Sequence, residues 1–192
     1  MSQLILASSS PYRKELLSRF AIPFECISPD VDESQIENEP PELYVSRLAK
    51  VKAQKIGQDH PEKLIIGSDQ CCVNAGIILG KPKDRDNAID QLLNASGNTI
   101  NFLTAVCIYH PQSKWIQEWT DAFSVEFRDL TQEEIERYLD AEEPYNCAGS
   151  FKSERLGVTL CKSMQGDDPT SLIGLPLIKV AQSLRDFGLN LP

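Results

Sequence analysis

The chain opens on a short apolar run, Leu4-Ile5-Leu6-Ala7, that stops at Ser8-Ser9-Ser10. Such a run, with no polar alternation, predicts a buried strand. Ser10 supplies an N-cap, Pro11 fits the first helical position, and Leu16, Leu17 and Phe20 face inward on a helix expected to reach about Phe20. Phe24 to Ser28 reads as a second strand, followed by the acidic loop DVDESQIENEPPE. A helix is expected from near Pro41 to Gly57.

The stretch KLIIGSDQCCV reads as a central strand, by its apolar run and β-branched content. Asp69 falls at or near its exposed end. Asn74 to Gly76 marks a turn into a short return strand. A helix is expected from Arg85 to about Asn94, stopping at Gly97. TINFLTAVCIY and AFSVEF read as strands, separated by a turn at His110-Pro111 and a segment bearing two tryptophans, for which packing is the default role. Thr131 and Glu134 form a capping box for a helix through Leu139. GVTL reads as one more strand. The last helix starts near Pro176, buries Leu177, Val180, Ala181 and Leu184, and ends at Gly188.

Helices and strands alternate at first and strands dominate the middle, which predicts an α/β protein with a mixed sheet. No repeat or long linker interrupts the 192 residues. One domain over 1–192 is expected, two intimate lobes being the alternative. Apolar residues make up 41%, enough for a core. The net charge of −9 argues against broad binding to nucleic acid or an anionic membrane. No stretch approaches the ~20 apolar residues of a membrane span. The start of the chain lacks the basic region and the length of apolar run of a secretory signal. The six cysteines form no C-x-x-C and read as reduced. A cytoplasmic protein is expected.

Five places carry candidate chemistry. Strand, serines and helix start together make an anion site, with Ser8, Ser9 and Ser10 as hydroxyl donors and Arg13 as a fork for phosphate. An ordinary capped helix with a surface arginine is the plainer alternative. At about 100° per residue, Val45, Leu48, Ala49, Val51 and Ile56 of the second helix form one apolar arc with Lys52 in its middle. Either its stem snorkels to water or its ammonium meets an anion inside. Asp69 suits a metal ligand or base better than a turn, because Cys71-Cys72-Val73 continue the strand. Asp32 and Glu33 could bring Mg²⁺ to phosphates, although most acidic runs are solvated surface. Lys81 in Gly80-Lys81-Pro82 is a lysine on a stiff turn. All agree on one ligand, a Mg²⁺-bound polyphosphate.

The stretches LILASSSPYRKELL, VDES, RLAKVKA, GSDQ, GKP, CAGSFKSE and LIGLPL, in this order, resemble the Maf family of nucleotide pyrophosphatases. The resemblance spans nearly the whole chain. It implies an elongated α/β fold, shared with inosine triphosphate pyrophosphatases, with a strongly twisted mixed sheet flanked by helices. It implies hydrolysis of a nucleoside triphosphate to monophosphate and pyrophosphate with a divalent metal cation, Mg²⁺ or Mn²⁺. The roles it implies are Asp69 as proton acceptor, Glu33 and Asp69 as metal ligands, and Ser8, Arg13, Lys52 and Lys81 on the phosphates. Tyr12, Gln70 and Glu154 resemble the specificity positions of the subfamily that hydrolyses 7-methyl-GTP, in which tryptophan is expected at position 12. A methylated, cationic guanine favours an aromatic face, and Glu154 can accept from guanine N1–H and the exocyclic amine. Alternatives are a dTTP or UTP pyrophosphatase of the same family, and a nucleotide-binding regulator of septum formation without turnover. The only partner implied is the small-molecule nucleotide, and the resemblance allows a homodimer.

Overall fold

The computed structural model describes residues 3–191. It contains a mixed, seven-stranded sheet with strand order β2-β1-β3-β5-β6-β7, β4 pairing with β3. The strands are β1 (Leu4–Ala7), β2 (Phe24–Cys26), β3 (Leu64–Asn74), β4 (Ile77–Leu79), β5 (Thr99–His110), β6 (Trp115–Phe127) and β7 (Cys161–Gln165). The helices are α1 (Pro11–Ser18), α2 (Pro41–Gly57), α3 (Arg85–Ala95), α4 (Gln132–Glu142), α5 (Pro169–Ile173) and α6 (Leu177–Phe187). β1 is parallel to β2 and to β3, whereas β3 and β4, and β6 and β7, are antiparallel.

The chain divides into two compact units. The first comprises Met1–Asp69, Thr104–Asp121 and Asp168–Pro192. Its core gathers Leu4 and Leu6 of β1, Leu16 and Leu17 of α1, Leu64 and Ile66 of β3, Val106 and Ile108 of β5, and Val180 and Leu184 of α6. These are the positions that the apolar runs and helical spacing pick out. The second unit comprises Gln70–Leu103 and Ala122–Asp167. Its core includes a ring cluster in which Phe151 packs on Phe102 and Phe127, with centroids 5.8 and 5.3 Å away.

Capping chemistry sets several boundaries as expected. The Ser10 side chain accepts from the Arg13 N–H at the start of α1, and Thr131 and Glu134 form a complete capping box on α4. Gly188, with φ 105°, ends α6.

The structure corrects the sequence at four elements. Asp69 does not lie at an exposed strand end: β3 runs through it to Asn74, and the residue is 7% exposed. GVTL is not a strand but part of a 3₁₀ segment, Leu156–Leu160, and β7 starts after it. The tryptophan-bearing segment is largely the first half of β6, where Trp115 packs edge-on against Phe187 of α6 at 5.1 Å. Ala181 is only half-buried, and Ser183 takes the inward place on α6, its hydroxyl donating to Gln117 Oε1 at 2.5 Å.

Candidate active site

The site begins where β1 ends. Ala7 is in register with Gly67 of β3, and Ser8 leaves the strand still buried. Its hydroxyl oxygen accepts the Ser10 N–H at 3.1 Å, which shapes the turn and leaves its own O–H proton as a donor. Pro11 and the Ser10 cap fix the first turn of α1, and Tyr12 and Arg13 follow on it, both half-buried.

Helix α2 lies close against β3 because residue 67 is glycine. A Cβ there would collide with the Ala49 carbonyl and stand 2.7 Å from the Ala53 nitrogen. Ala49 and Ala53 flank Lys52, so the same close approach brings Lys52 onto the strand. Val45, Leu48, Ala49, Lys52, Ala53 and Ile56 form the buried face of α2, while Val51 is half-buried. Of the two fates open to Lys52, the second holds, and the anions it meets are the protein's own. Its Nζ stands 2.6 Å from Asp69 Oδ1 and 2.6 Å from Glu33 Oε1.

Glu33 reaches this point from a loop tied to α2. Tyr44 donates its hydroxyl to the Glu33 carbonyl at 3.0 Å, and Arg47 donates to the Ser34 carbonyl at 3.0 Å. Arg47 also grips Glu39 through two bonds, of 2.6 and 2.7 Å. Asp32, beside Glu33, accepts the Ser34 N–H at 2.9 Å and so shapes the loop.

Arg13 is held by a device that the sequence reading did not assign. Its Nε donates to the Gly174 carbonyl at 2.9 Å, and the Ser68 hydroxyl donates to the same oxygen at 3.0 Å. Gly174 ends α5, a helix missing from the sequence reading, with φ 124°, in the left-handed range open to glycine. Among the described residues the two terminal nitrogens of Arg13 carry no protein hydrogen bond, which leaves the fork available to an oxyanion. The signal for this carbonyl was the Gly174-Leu175-Pro176 turn.

Burial dominates the electrostatics. It raises the Asp69 carboxyl above the ordinary range, against the opposing charges of Lys52 and Arg13. It also lowers the Arg13 guanidinium, opposed by Asp69 and Glu33. Arginine still remains charged at neutral pH.

The structure therefore gathers Glu33, Lys52 and Asp69 into one contact in the first unit, which also holds Ser8, Tyr12 and Arg13. Gln70, Lys81 and Glu154 belong to the second unit. There Gln70 is half-buried in β3, Lys81 is exposed outside any helix or strand, and Glu154 is exposed on a turn. That turn is clamped on both sides. Tyr138 accepts the Lys152 N–H at 3.0 Å, and Glu142 accepts from the Arg155 Nε at 3.3 Å and the Leu156 N–H at 3.1 Å.

Among the described residues no group of three or more His, Cys, Asp or Glu side chains is placed to hold a metal ion. Glu33 and Asp69 nonetheless converge on one cation, the Lys52 ammonium. Two carboxylates that complete their shell with phosphate oxygens and water are the donor set Mg²⁺ takes in phosphate chemistry. The donors present thus fit a metal that shares its shell with a polyphosphate.

The protein is thus an α/β protein with a mixed sheet, a buried lysine between two carboxylates, and an arginine fork in the same unit. The Maf-like protein family model matches residues 3–187, and the chain belongs to this family. It is 49% identical over 192 residues to the 7-methyl-GTP pyrophosphatase of Pseudomonas aeruginosa, covering all of both chains. It is 48% identical over 185 residues to the protein of the same name from Nitrosococcus oceani, covering 96% of this chain and 93% of that one. The Staphylococcus aureus Ham1 protein has a similar fold, with a TM-score of 0.53 at 15% identity, over 97% of this chain and 99% of that one.

Proposed function

We propose that this protein is a nucleoside triphosphate pyrophosphatase that hydrolyses 7-methyl-GTP to 7-methyl-GMP and pyrophosphate, a house-cleaning activity against modified nucleotides. The observation that carries this reading is the buried Lys52 between Glu33 and Asp69, in a chain whose relatives near half identity bear the name 7-methyl-GTP pyrophosphatase. Glu33 and Asp69 meet the buried Lys52 within the protein, and a triphosphate supplies the anion for the terminal nitrogens of the half-buried Arg13.

In this reading Arg13, Lys52, Ser8 and Lys81 take the phosphate oxygens, the Arg13 fork in bidentate fashion. Asp69 accepts a proton from the attacking water. The water oxygen bonds to the α-phosphorus, the bond from that phosphorus to the bridging oxygen breaks, and pyrophosphate leaves with the bond's electron pair. Glu33 and Asp69 would hold a divalent cation, Mg²⁺ or Mn²⁺, which acidifies bound water and offsets charge on the leaving group. Tyr12 offers an aromatic face to the cationic base, and Gln70 and Glu154 its hydrogen-bonding partners. All six cysteines are free thiols, which supports a reducing, cytoplasmic location. Among the described residues no helix is long and apolar enough to cross a membrane.

Pyrophosphate release from 7-methyl-GTP, GTP, dTTP and UTP, measured side by side with Mg²⁺, tests the proposal. A preference for 7-methyl-GTP is expected. Preference for dTTP or UTP would overturn the base assignment, and binding without release from any substrate would overturn the enzyme assignment.

A further inference from the structure

Lys52 places a fixed positive charge where two carboxylates converge. Its Nζ is 2.6 Å from an oxygen of Glu33 and 2.6 Å from one of Asp69, so those oxygens lie no farther apart than twice that distance. The lysine side chain is 7% exposed and that of Asp69 10%, so water screens their pairing little. Lys52 shares the buried face of α2 with Ala49 and Ala53, which lie against Gly67 of β3. No third carboxylate, histidine or cysteine joins Glu33 and Asp69 as a metal-holding group among the described residues.

From this we infer that the Lys52 ammonium is a built-in stand-in for the divalent cation. It keeps the Glu33 and Asp69 carboxylates together in the free protein and competes with metal for them. The inference rests on the phosphate-site reading above. Two facing carboxylates without a cation would repel each other, and the Glu33 side chain, 57% exposed on a loop whose backbone Tyr44 and Arg47 hold, would turn out to water. The ammonium removes that repulsion at the cost of weak metal binding. An arriving polyphosphate offers Lys52 a better set of oxygens, and the carboxylates it gives up then become ligands for a cation that comes with the nucleotide. The site is assembled by the substrate's own charge, and free metal alone does not fill it.

The test is Mn²⁺ binding, read by electron paramagnetic resonance and by water-proton relaxation, which distinguishes a protein-bound ternary complex from manganese held by nucleotide alone. With Mn²⁺ as the only ligand, Lys52→Met should bind it at least about tenfold more tightly than the wild type. Lys52→Gln serves the same purpose if the methionine variant does not fold. With a non-hydrolysable α,β-methylene analogue of 7-methyl-GTP, the wild type should bind Mn²⁺ at least about tenfold more tightly than without it. Equal or weaker Mn²⁺ binding by the Lys52 variants would overturn the inference. So would wild-type Mn²⁺ affinity that the bound analogue leaves unchanged. If calorimetry finds no binding of the analogue while the Lys52 variants still gain Mn²⁺ affinity, the proposed substrate fails and the role of Lys52 stands.

Discussion

The carbonyl oxygen of Gly174 accepts the Nε–H of Arg13 at 2.9 Å, joining residues 161 positions apart. The Ser68 hydroxyl shares that oxygen, so one peptide carbonyl ties Arg13 to the strand of Asp69. An alanine at 174 would hold φ near 124° only under strain, with its Cβ 3.4 Å from Arg13 Nε. Gly174→Ala should cost about 1–3 kcal/mol of stability and raise KM for the nucleotide more than it lowers kcat. Denaturant unfolding and steady-state kinetics check this, and an unchanged KM would separate Gly174 from Arg13.

Gly67 sets how closely α2 approaches β3. Gly67→Ala should destabilise the protein by about 1–3 kcal/mol through overpacking. It should also impair catalysis out of proportion to the loss of fold, because the shift displaces Lys52. Thermal unfolding and turnover, compared with a Gly80→Ala control where a Cβ meets nothing within 4 Å, test the pair.

Burial raises the Asp69 carboxyl, so the folded chain binds this proton more tightly than the unfolded one. The linked stability is present below the ordinary carboxylate range and is lost as pH rises through the raised value. In chelator, the stability of wild type relative to Asp69→Asn should therefore fall as pH rises from the ordinary carboxylate range through the range just above it. Asp69→Asn should also abolish turnover, and the acid limb of the wild-type rate should lie above the ordinary carboxylate range. Urea unfolding across pH and a pH–rate profile measure both. A relative stability that rises over that window would reverse the sign argued here.

Glu142 has a side chain 1% exposed and grips Arg155 and the Leu156 N–H just beyond Glu154. Glu142→Ala should cost about 2 kcal/mol, less than a fully buried pair because Arg155 is largely exposed. If Glu154 reads the base, the same change should narrow the preference for 7-methyl-GTP over GTP while Glu142→Gln retains most of it. Competition kinetics with both nucleotides decide this.

Local signals wrote much of this protein into its sequence. The four-residue strand, the Ser10 cap with Pro11, the Thr131–Glu134 box and the apolar arc of α2 depend on neighbours within a few positions, and the structure has them, with Ala53 in place of Val51 on the buried arc. Such features are legible because a cap or a helical face is satisfied by residues a turn away. Lys52 was legible as an anomaly for the same reason, since a charge amid an apolar arc needs a partner wherever the chain goes.

What met that charge was decided only in three dimensions. Glu33 reaches Lys52 because Tyr44 and Arg47 fasten its loop to α2, and Asp69 does so because Gly67 lets helix and strand close up. The Gly174 carbonyl arrives from the far end of the chain. Local rules failed where tertiary packing outweighed them: Asp69 lies buried within β3 rather than at an exposed end, and the β-branched GVTL stretch folded as a 3₁₀ turn. The sequence by itself determined which residues were chemically out of place. Tertiary packing determined which of them met, because desolvated charges are tolerated only where distant segments bring opposite charges and hydrogen bonds to them.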